Sequence, residues 1–160
     1  MTSNIQLPYD DSFGYWFTGL SDGEACFYAG LHRWNRSKKE HKLVLHTRFF
    51  ISLRYDDIAT IETLRATTGI GNIDTQKAQG HQINPAKRWM VTNLESFKRI
   101  IIPQFERYPL RTKKARDFLI WKQIVLLREN HTAQSRVSVV DEHLPELIIL
   151  IDKLRNGRKI

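Results

Sequence analysis

The feature that most limits what this chain can fold into is a change of period. In Ser12-Phe13-Gly14-Tyr15-Trp16-Phe17-Thr18-Gly19-Leu20-Ser21-Asp22 the residues Phe13, Trp16, Phe17 and Leu20 recur at i, i+3, i+4 and i+7, the stripe of a helix with one face in a core. From Ala25 the pattern alternates instead: Ala25, Phe27, Ala29 and Leu31 face one way, which predicts a strand with a buried face. Only Asp22, Gly23 and Glu24 lie between, two acidic residues around a glycine. Asp11 or Ser12 is the expected N-cap, and Gly23 the expected left-handed stop. The last carbonyls of a helix carry the negative end of its dipole and attract a cation. A carboxylate at Glu24 adds a hard oxygen donor of the kind magnesium takes. On the opposite side of the helix Tyr15, Thr18, Gly19 and Asp22 share a face, and Gly19 leaves room there for another backbone.

Beyond this junction the elements follow in a regular order. A second strand is predicted over Leu43 to Leu53, with Leu43, Leu45, Phe49, Ile51 and Leu53 alternating against Val44, His46, Arg48, Phe50 and Ser52. The connection from Asn35 to Lys42 is charged and too long for a tight hairpin. Asp56 or Asp57 caps a helix carrying Ile58, Ile61 and Leu64, which Gly69 ends. Strands at Ile70 to Gln76 and Lys87 to Thr92 come next, then a helix capped by Asn93 that Pro103 should end. A helix from about Lys113 to Arg128 buries Phe118, Trp121, Ile124 and Val125, with Leu127 a further candidate for that face. Glu129 to Val140 shows no period and is expected to be irregular. A last helix begins near Pro145, packs Leu144, Leu147, Ile148, Ile151 and Leu154, and stops at Gly157. The order predicts a single α+β domain over 1–160, with helices on one face of a four-stranded antiparallel sheet: a core at about 12–128 and a helical extension at about 129–160.

Charge narrows the choice of partner. Lys and Arg number 25 against 17 Asp and Glu, a net charge of +8 that favours a polyanion. The single cysteine, Cys26, excludes an internal disulfide and suits a reducing compartment, and no cysteine-histidine spacing matches a zinc site. No apolar run approaches membrane-spanning length and the start is not signal-like, so no membrane association or secretion is expected.

Phe17-Thr18-Gly19-Leu20-Ser21-Asp22-Gly23-Glu24-Ala25 resembles the nine-residue signature of the LAGLIDADG homing endonucleases, in which the eighth position is the catalytic acid. Gly19, Leu20, Asp22 and an acid at Glu24 hold the register. The departures are Phe17, Thr18, Ser21, Gly23, Glu24 in place of aspartate, and Ala25. A second segment, Tyr108-Pro109-Leu110-Arg111-Thr112-Lys113-Lys114-Ala115-Arg116-Asp117-Phe118, is similar to the family's lysine-bearing stretch before its late helix. The αββαββα order is also that family's core, so the resemblance spans roughly Ser12 to Arg128.

The resemblance implies phosphodiester hydrolysis, which needs an activated water, charge neutralisation at the phosphate and support for the leaving oxygen. Glu24 and the backbone oxygen of Gly23 are the expected ligands of Mg2+, or of another divalent cation such as Mn2+. Lys113 and Lys114 are candidates to approach the scissile phosphate. The family often has a glutamine near the end of the second strand and a basic residue soon after. Those positions fall here on Leu53 and Asp57, which match neither, and Arg54 is the candidate to supply the charge. With one motif per chain, the resemblance implies a homodimer packed through the first helices, with Thr18 and Gly19 allowing close approach and Asp22 capping or bonding across the interface.

Base reading is expected from the sheet face opposite the helices, lying in the major groove of double-stranded DNA. Tyr28, His32, Trp34, His46, Arg48, Asn72, Asp74, Gln76 and Arg88 share the parity of that face, and Lys38 and Lys39 in the charged loop are expected on phosphates. The sequence thus predicts a homing endonuclease in an intracellular compartment that holds DNA: bacterial or archaeal cytoplasm, or an organelle matrix. The competing reading is a binder of the same fold that does not cleave, an RNA maturase or a DNA-binding regulator. The acid at Glu24 favours the nuclease; the mismatches at Leu53 and Asp57 favour the binder.

Overall fold

The structure is a computed structural model that describes residues 5–35, 41–77, 85–129, 136–138 and 141–157. Helix α1 (Asp11–Glu24) leads into β1 (Ala25–Asn35) and β2 (His41–Arg54). A 3-10 turn (Tyr55–Asp57), α2 (Ile58–Thr68), β3 (Asn72–Gln76) and β4 (Ala86–Val91) follow. Then come α3 (Leu94–Ser96), a π-helical turn (Phe97–Ile101), α4 (Ile102–Arg107), α5 (Lys114–Glu129), β5 (Arg136–Val137) and α6 (Leu144–Asn156). The strand order is β1-β2-β4-β3, a four-stranded antiparallel sheet, and β5 adds a short pairing to β2 at Leu43 and Val44. That pairing lies inside the stretch expected to be irregular; two residues are too few to show a period.

By its contacts the chain forms two compact units, Met1–Cys26 with Phe49–Lys114 and Phe27–Arg48 with Ala115–Ile160. In the first, the Phe17 ring is fully buried against Phe49, Trp89 and Phe105, with centroids 6.2, 5.7 and 5.7 Å away. Burying one such ring contributes about 1.5–3 kcal/mol. Register in this unit is fixed by Ile51 opposite Trp89, both fully buried, with Trp89 in turn opposite Ile73. The Trp89 indole donates to the Ile70 carbonyl (2.9 Å) and lies where a side chain at Gly71 would be; Gly71 adopts φ +81°, so only glycine fits there without strain. In the second unit Phe27 packs on Phe118 and Trp121 of α5, and the Trp121 indole donates to the Tyr28 carbonyl (3.1 Å).

The first helix differs from expectation in three ways. Asp10, not Asp11 or Ser12, is the N-cap: it has extended backbone angles and its carboxylate accepts from the Phe13 N–H (2.9 Å), whereas Asp11 pairs with Arg107. Gly23 is no left-handed stop. The positive-φ glycines among the described residues are Gly69 and Gly71, and α1 passes through Gly23 directly into extended Ala25, whose N–H still bonds Ser21. A chain that continues in line into a strand needs no reversal, hence no left-handed residue. The inward face is Gly14, Phe17, Thr18 and Ser21, with Phe13 and Leu20 half-buried and Trp16 exposed. Gly14 decides the rotation: an added Cβ there would lie 2.3 Å from the Tyr108 ring, so only glycine lets that ring come so close to the helix backbone.

Pro103 does not end its helix. Asn93 caps it as expected, accepting from the Ser96 N–H, but Phe97–Ile101 widens into a π turn and Pro103 stands in the first turn of α4. Proline lacks an N–H and clashes with the carbonyl four residues back; the wider turn before it removes that conflict. In α6, Leu150 is buried and Ile148 exposed, a small rotation from the expected stripe.

Candidate active site and nucleic-acid interface

The two motif acids have opposite surroundings. Asp22 is half-buried, and its carboxylate accepts from the N–H of Arg111 (3.0 Å), the N–H of Thr112 (3.0 Å) and the hydroxyl of Thr112 (2.8 Å). Burial raises its pKa, but those hydrogen bonds together with the charge of Lys114 outweigh it and hold the carboxyl below the ordinary range. These bonds are all made within the chain and use both carboxylate oxygens. Glu24 is exposed and makes no hydrogen bond or ion pair with any described residue. It lies at the last helical position, where the carbonyls of Asp22, Gly23 and Glu24 have no partner further along the helix.

Of the two lysines, the structure brings one to this junction. The Lys114 ammonium, half-buried, donates to the carbonyl of Ala25, the residue after Glu24. Lys113 is exposed and points to no described partner. Arg54 ends β2 with its guanidinium on Asp56 (3.1 Å), both side chains about two-thirds exposed or more, and makes no described contact with Glu24.

What holds α1 in place was not readable from its sequence. Gln104, fully buried, accepts from the Tyr9 hydroxyl (2.8 Å) and donates to the Gly14 carbonyl (2.8 Å) and to Thr18 Oγ1 (3.0 Å). The Thr18 hydroxyl in turn donates a hydrogen bond to the Tyr108 carbonyl (2.8 Å). Thr18 is therefore buried in its own chain, contrary to the expectation that it faces a partner, because its hydroxyl finds acceptors only on that side. A lone glutamine ninety residues away carries no sequence signal for such a tie. The exposed face of α1 is Ser12, Tyr15, Trp16, Gly19 and Gly23; a Cβ at Gly19 would meet nothing within 4 Å.

The open face of the strands carries the expected side chains in both units. In the first, Ser52, Arg88 and Asp74 form one cross-strand row and Phe50, Met90 and Asn72 the next. Arg88 donates to Ser52 (2.9 Å) and lies over the Phe50 ring (4.4 Å to the centroid). Gln76 donates to Asp74 Oδ2 (2.8 Å), while Asp74 Oδ1 is buried without a donor. In the second unit Tyr28 reaches across Gly30 to His32, hydroxyl to Nε2 3.0 Å, because glycine leaves that lane free. His32 meets His46 edge-on (4.9 Å between centroids) and Arg48 lies over Tyr28 (5.6 Å). Burial, then the charges of His32, Arg48 and Arg128, push the His46 pKa down and favour its neutral ring. Trp34 lies in β1 but its side chain falls outside the described part, and Lys38 and Lys39 lie outside the described residues.

The donor set suits a hard cation. No cluster of three or more His, Cys, Asp or Glu occurs among the described residues, and both Asp22 oxygens are occupied by donors. What remains is the carboxylate of Glu24, free among the described residues, and the Gly23 carbonyl, which has no partner further along the helix. Magnesium is commonly held by one or two carboxylates, with waters and substrate phosphates completing its shell.

The family described as LAGLIDADG endonuclease matches the chain over residues 17–125. A probable intron-encoded endonuclease of Neurospora crassa is 31% identical over 151 residues, 91% of this chain and 31% of that protein. An uncharacterized mitochondrial protein of Saccharomyces cerevisiae, RF1, is 26% identical over 96% of this chain and 31% of its own length. The chain thus spans about a third of the curated relatives it matches. Among solved structures, the meganuclease I-SmaMI bound to uncleaveable DNA superposes with a TM-score of 0.72 at 26% identity, covering 91% of this chain and 45% of that one.

Proposed function

Because the chain belongs to the LAGLIDADG endonuclease family, we propose that it is a site-specific, divalent-metal-dependent double-strand DNA endonuclease of the homing type. The observation that carries this reading is the contrast at the motif: of two acids in one helical turn, both oxygens of Asp22 are occupied and Glu24 is free among the described residues beside the last carbonyls of the helix, with Lys114 bonded to the residue that follows it. A pure binding surface has no need of an unpartnered acid facing a polyanion, since it repels phosphate.

Glu24 and the Gly23 carbonyl would hold magnesium or manganese, which supplies charge neutralisation at the scissile phosphate and an activated water. Lys114 adds a positive charge fixed close to that phosphate, where a preorganised donor is worth most. Arg111 and Lys113, exposed just before α5, attract the backbone on either side.

The exposed α1 face of Tyr15, Trp16 and Gly19 supports pairing with a second copy of the chain, which would bring two Glu24 carboxylates to a duplex, one for each strand. A two-fold arrangement presents the same strands to each half-site, so the target would be long and pseudo-palindromic. Arg88 and Arg48 are the candidates for bidentate contact to guanine. DNA as substrate implies a compartment that contains it, and the mitochondrial relative supports an organelle matrix.

The test is incubation with a random-sequence plasmid library and magnesium, followed by sequencing of double-strand ends. A single recurrent, symmetric cut site is expected. The pairing of Arg54 with Asp56 and the mismatches at Leu53 and Asp57 favour the second reading, a binder that does not cut. Sequence-selective retention of DNA or RNA without ends would establish that reading instead.

A further inference from the structure

The bonds around Glu24 form a closed clasp. On one side, Asp22 takes the Arg111 N–H, the Thr112 N–H and the Thr112 hydroxyl; on the other, Lys114 reaches back to the Ala25 carbonyl. Glu24 lies between these two ties, and Thr112 Oγ1 also accepts from the Lys114 N–H (3.3 Å), so the anchor and the lysine share one hydroxyl. The arrangement is complementary in charge: a carboxylate at the start of α5 and an ammonium at the end of α1. A lysine side chain is long and flexible, and holding it in one geometry requires its backbone to be fixed.

From this geometry we propose that Asp22 is a positioning residue for Lys114: acting through Thr112, it sets the backbone from which the ammonium is presented beside Glu24. The proposal rests on the nuclease reading for its consequence in cleavage, while the clasp itself is measurable without DNA or metal. It gives the first acid of the motif a role although both of its oxygens are already occupied. With an amide in place of the carboxylate, one of the two acceptor oxygens becomes an NH2 donor and the remaining bonds lose their charge assistance, so the segment loosens and Lys114 departs from the Ala25 carbonyl.

The experiment compares reductive methylation of Lys114 with that of its exposed neighbour Lys113, by mass spectrometry of the full chain without DNA or metal. In the parent protein Lys114 should react several-fold more slowly than Lys113. In Asp22→Asn and in Thr112→Val its rate should rise toward that of Lys113, and Thr112→Ser, which keeps the hydroxyl, should retain the parental ratio. The same variants are then assayed for single-turnover cleavage and for DNA affinity. Asp22→Asn should lose tenfold or more in rate, toward the roughly hundredfold that a misplacement of about 1 Å costs, with affinity nearly unchanged. An unchanged Lys114 to Lys113 ratio in both Asp22→Asn and Thr112→Val, or equal losses of rate and affinity, would overturn the proposal. A parent that shows the clasp by methylation yet never cuts would refute the nuclease reading and leave the clasp standing.

Discussion

Gly14 and Gly19 belong to one helix and meet opposite conditions. At Gly14 an added Cβ would strike the Tyr108 ring at 2.3 Å; at Gly19 it would meet nothing within 4 Å. The same division runs through the acids, with Asp22 occupied and Glu24 free, and through the lysines, with Lys114 tied and Lys113 in solvent. The lesson is that the motif helix has one face for its own chain and one for something else. On the first, every polar group named above except the Ser21 hydroxyl has a partner; on the second lie a free acid, two aromatic rings and a glycine notch. The proposed chemistry and pairing both draw on that second face.

Several substitutions would break or sharpen this division. The largest effect is expected at the lysines: Lys114→Ala should cut single-turnover cleavage by about 10²-fold, the size seen when a preorganised donor is lost, while Lys113→Ala should change it little. Equal effects would mean that both are phosphate anchors. Gly14→Ala should cost about 1–3 kcal/mol in chemical denaturation, because the Tyr108 ring and α1 must part. A neutral result would place the tight face elsewhere. Asp22→Asn should lose about 1 kcal/mol, a figure reduced for partial exposure of the site. The folded-state pKa of Asp22 is depressed, so its contribution is present above the unfolded carboxylate value of about 3.9 and lost as pH falls through the lower folded value. Parent and variant stabilities should therefore converge in acid, and a gap that persists there would assign the loss to packing. Smallest, and opposite in sign, Gly19→Ala should leave the isolated chain unharmed or stabilise it by about 0.4–1 kcal/mol, while Gly19→Leu should shift sedimentation from a species near twice 18.8 kDa toward monomer.

The sequence carried the elements well where period and cap agreed. The switch at Ala25, the alternation of β2, the Gly69 stop and the Asn93 cap are all local signals, and each lies where expected. The errors arose where a distant contact overrode a local one. Phe13 and Trp16 share the apolar stripe with Phe17, but the Tyr108 ring against Gly14 and the Gln104 bonds to Gly14 and Thr18 turn the helix toward Gly14, Thr18 and Ser21. Pro103 reads as a terminator only if the turn before it is α-helical, and it is not. In the candidate site, the choice between Lys113 and Lys114 depends on which side chain reaches the Ala25 carbonyl, a contact across the fold that spacing alone leaves open.

The central claim is that the free acid, not the bonded one, carries the chemistry, and Glu24→Gln tests it most directly. On the preferred plasmid site in magnesium, the account predicts that Glu24→Gln abolishes double-strand cleavage while its affinity for that site stays within a few-fold of the parent. Cleavage at the parental rate by Glu24→Gln would contradict it.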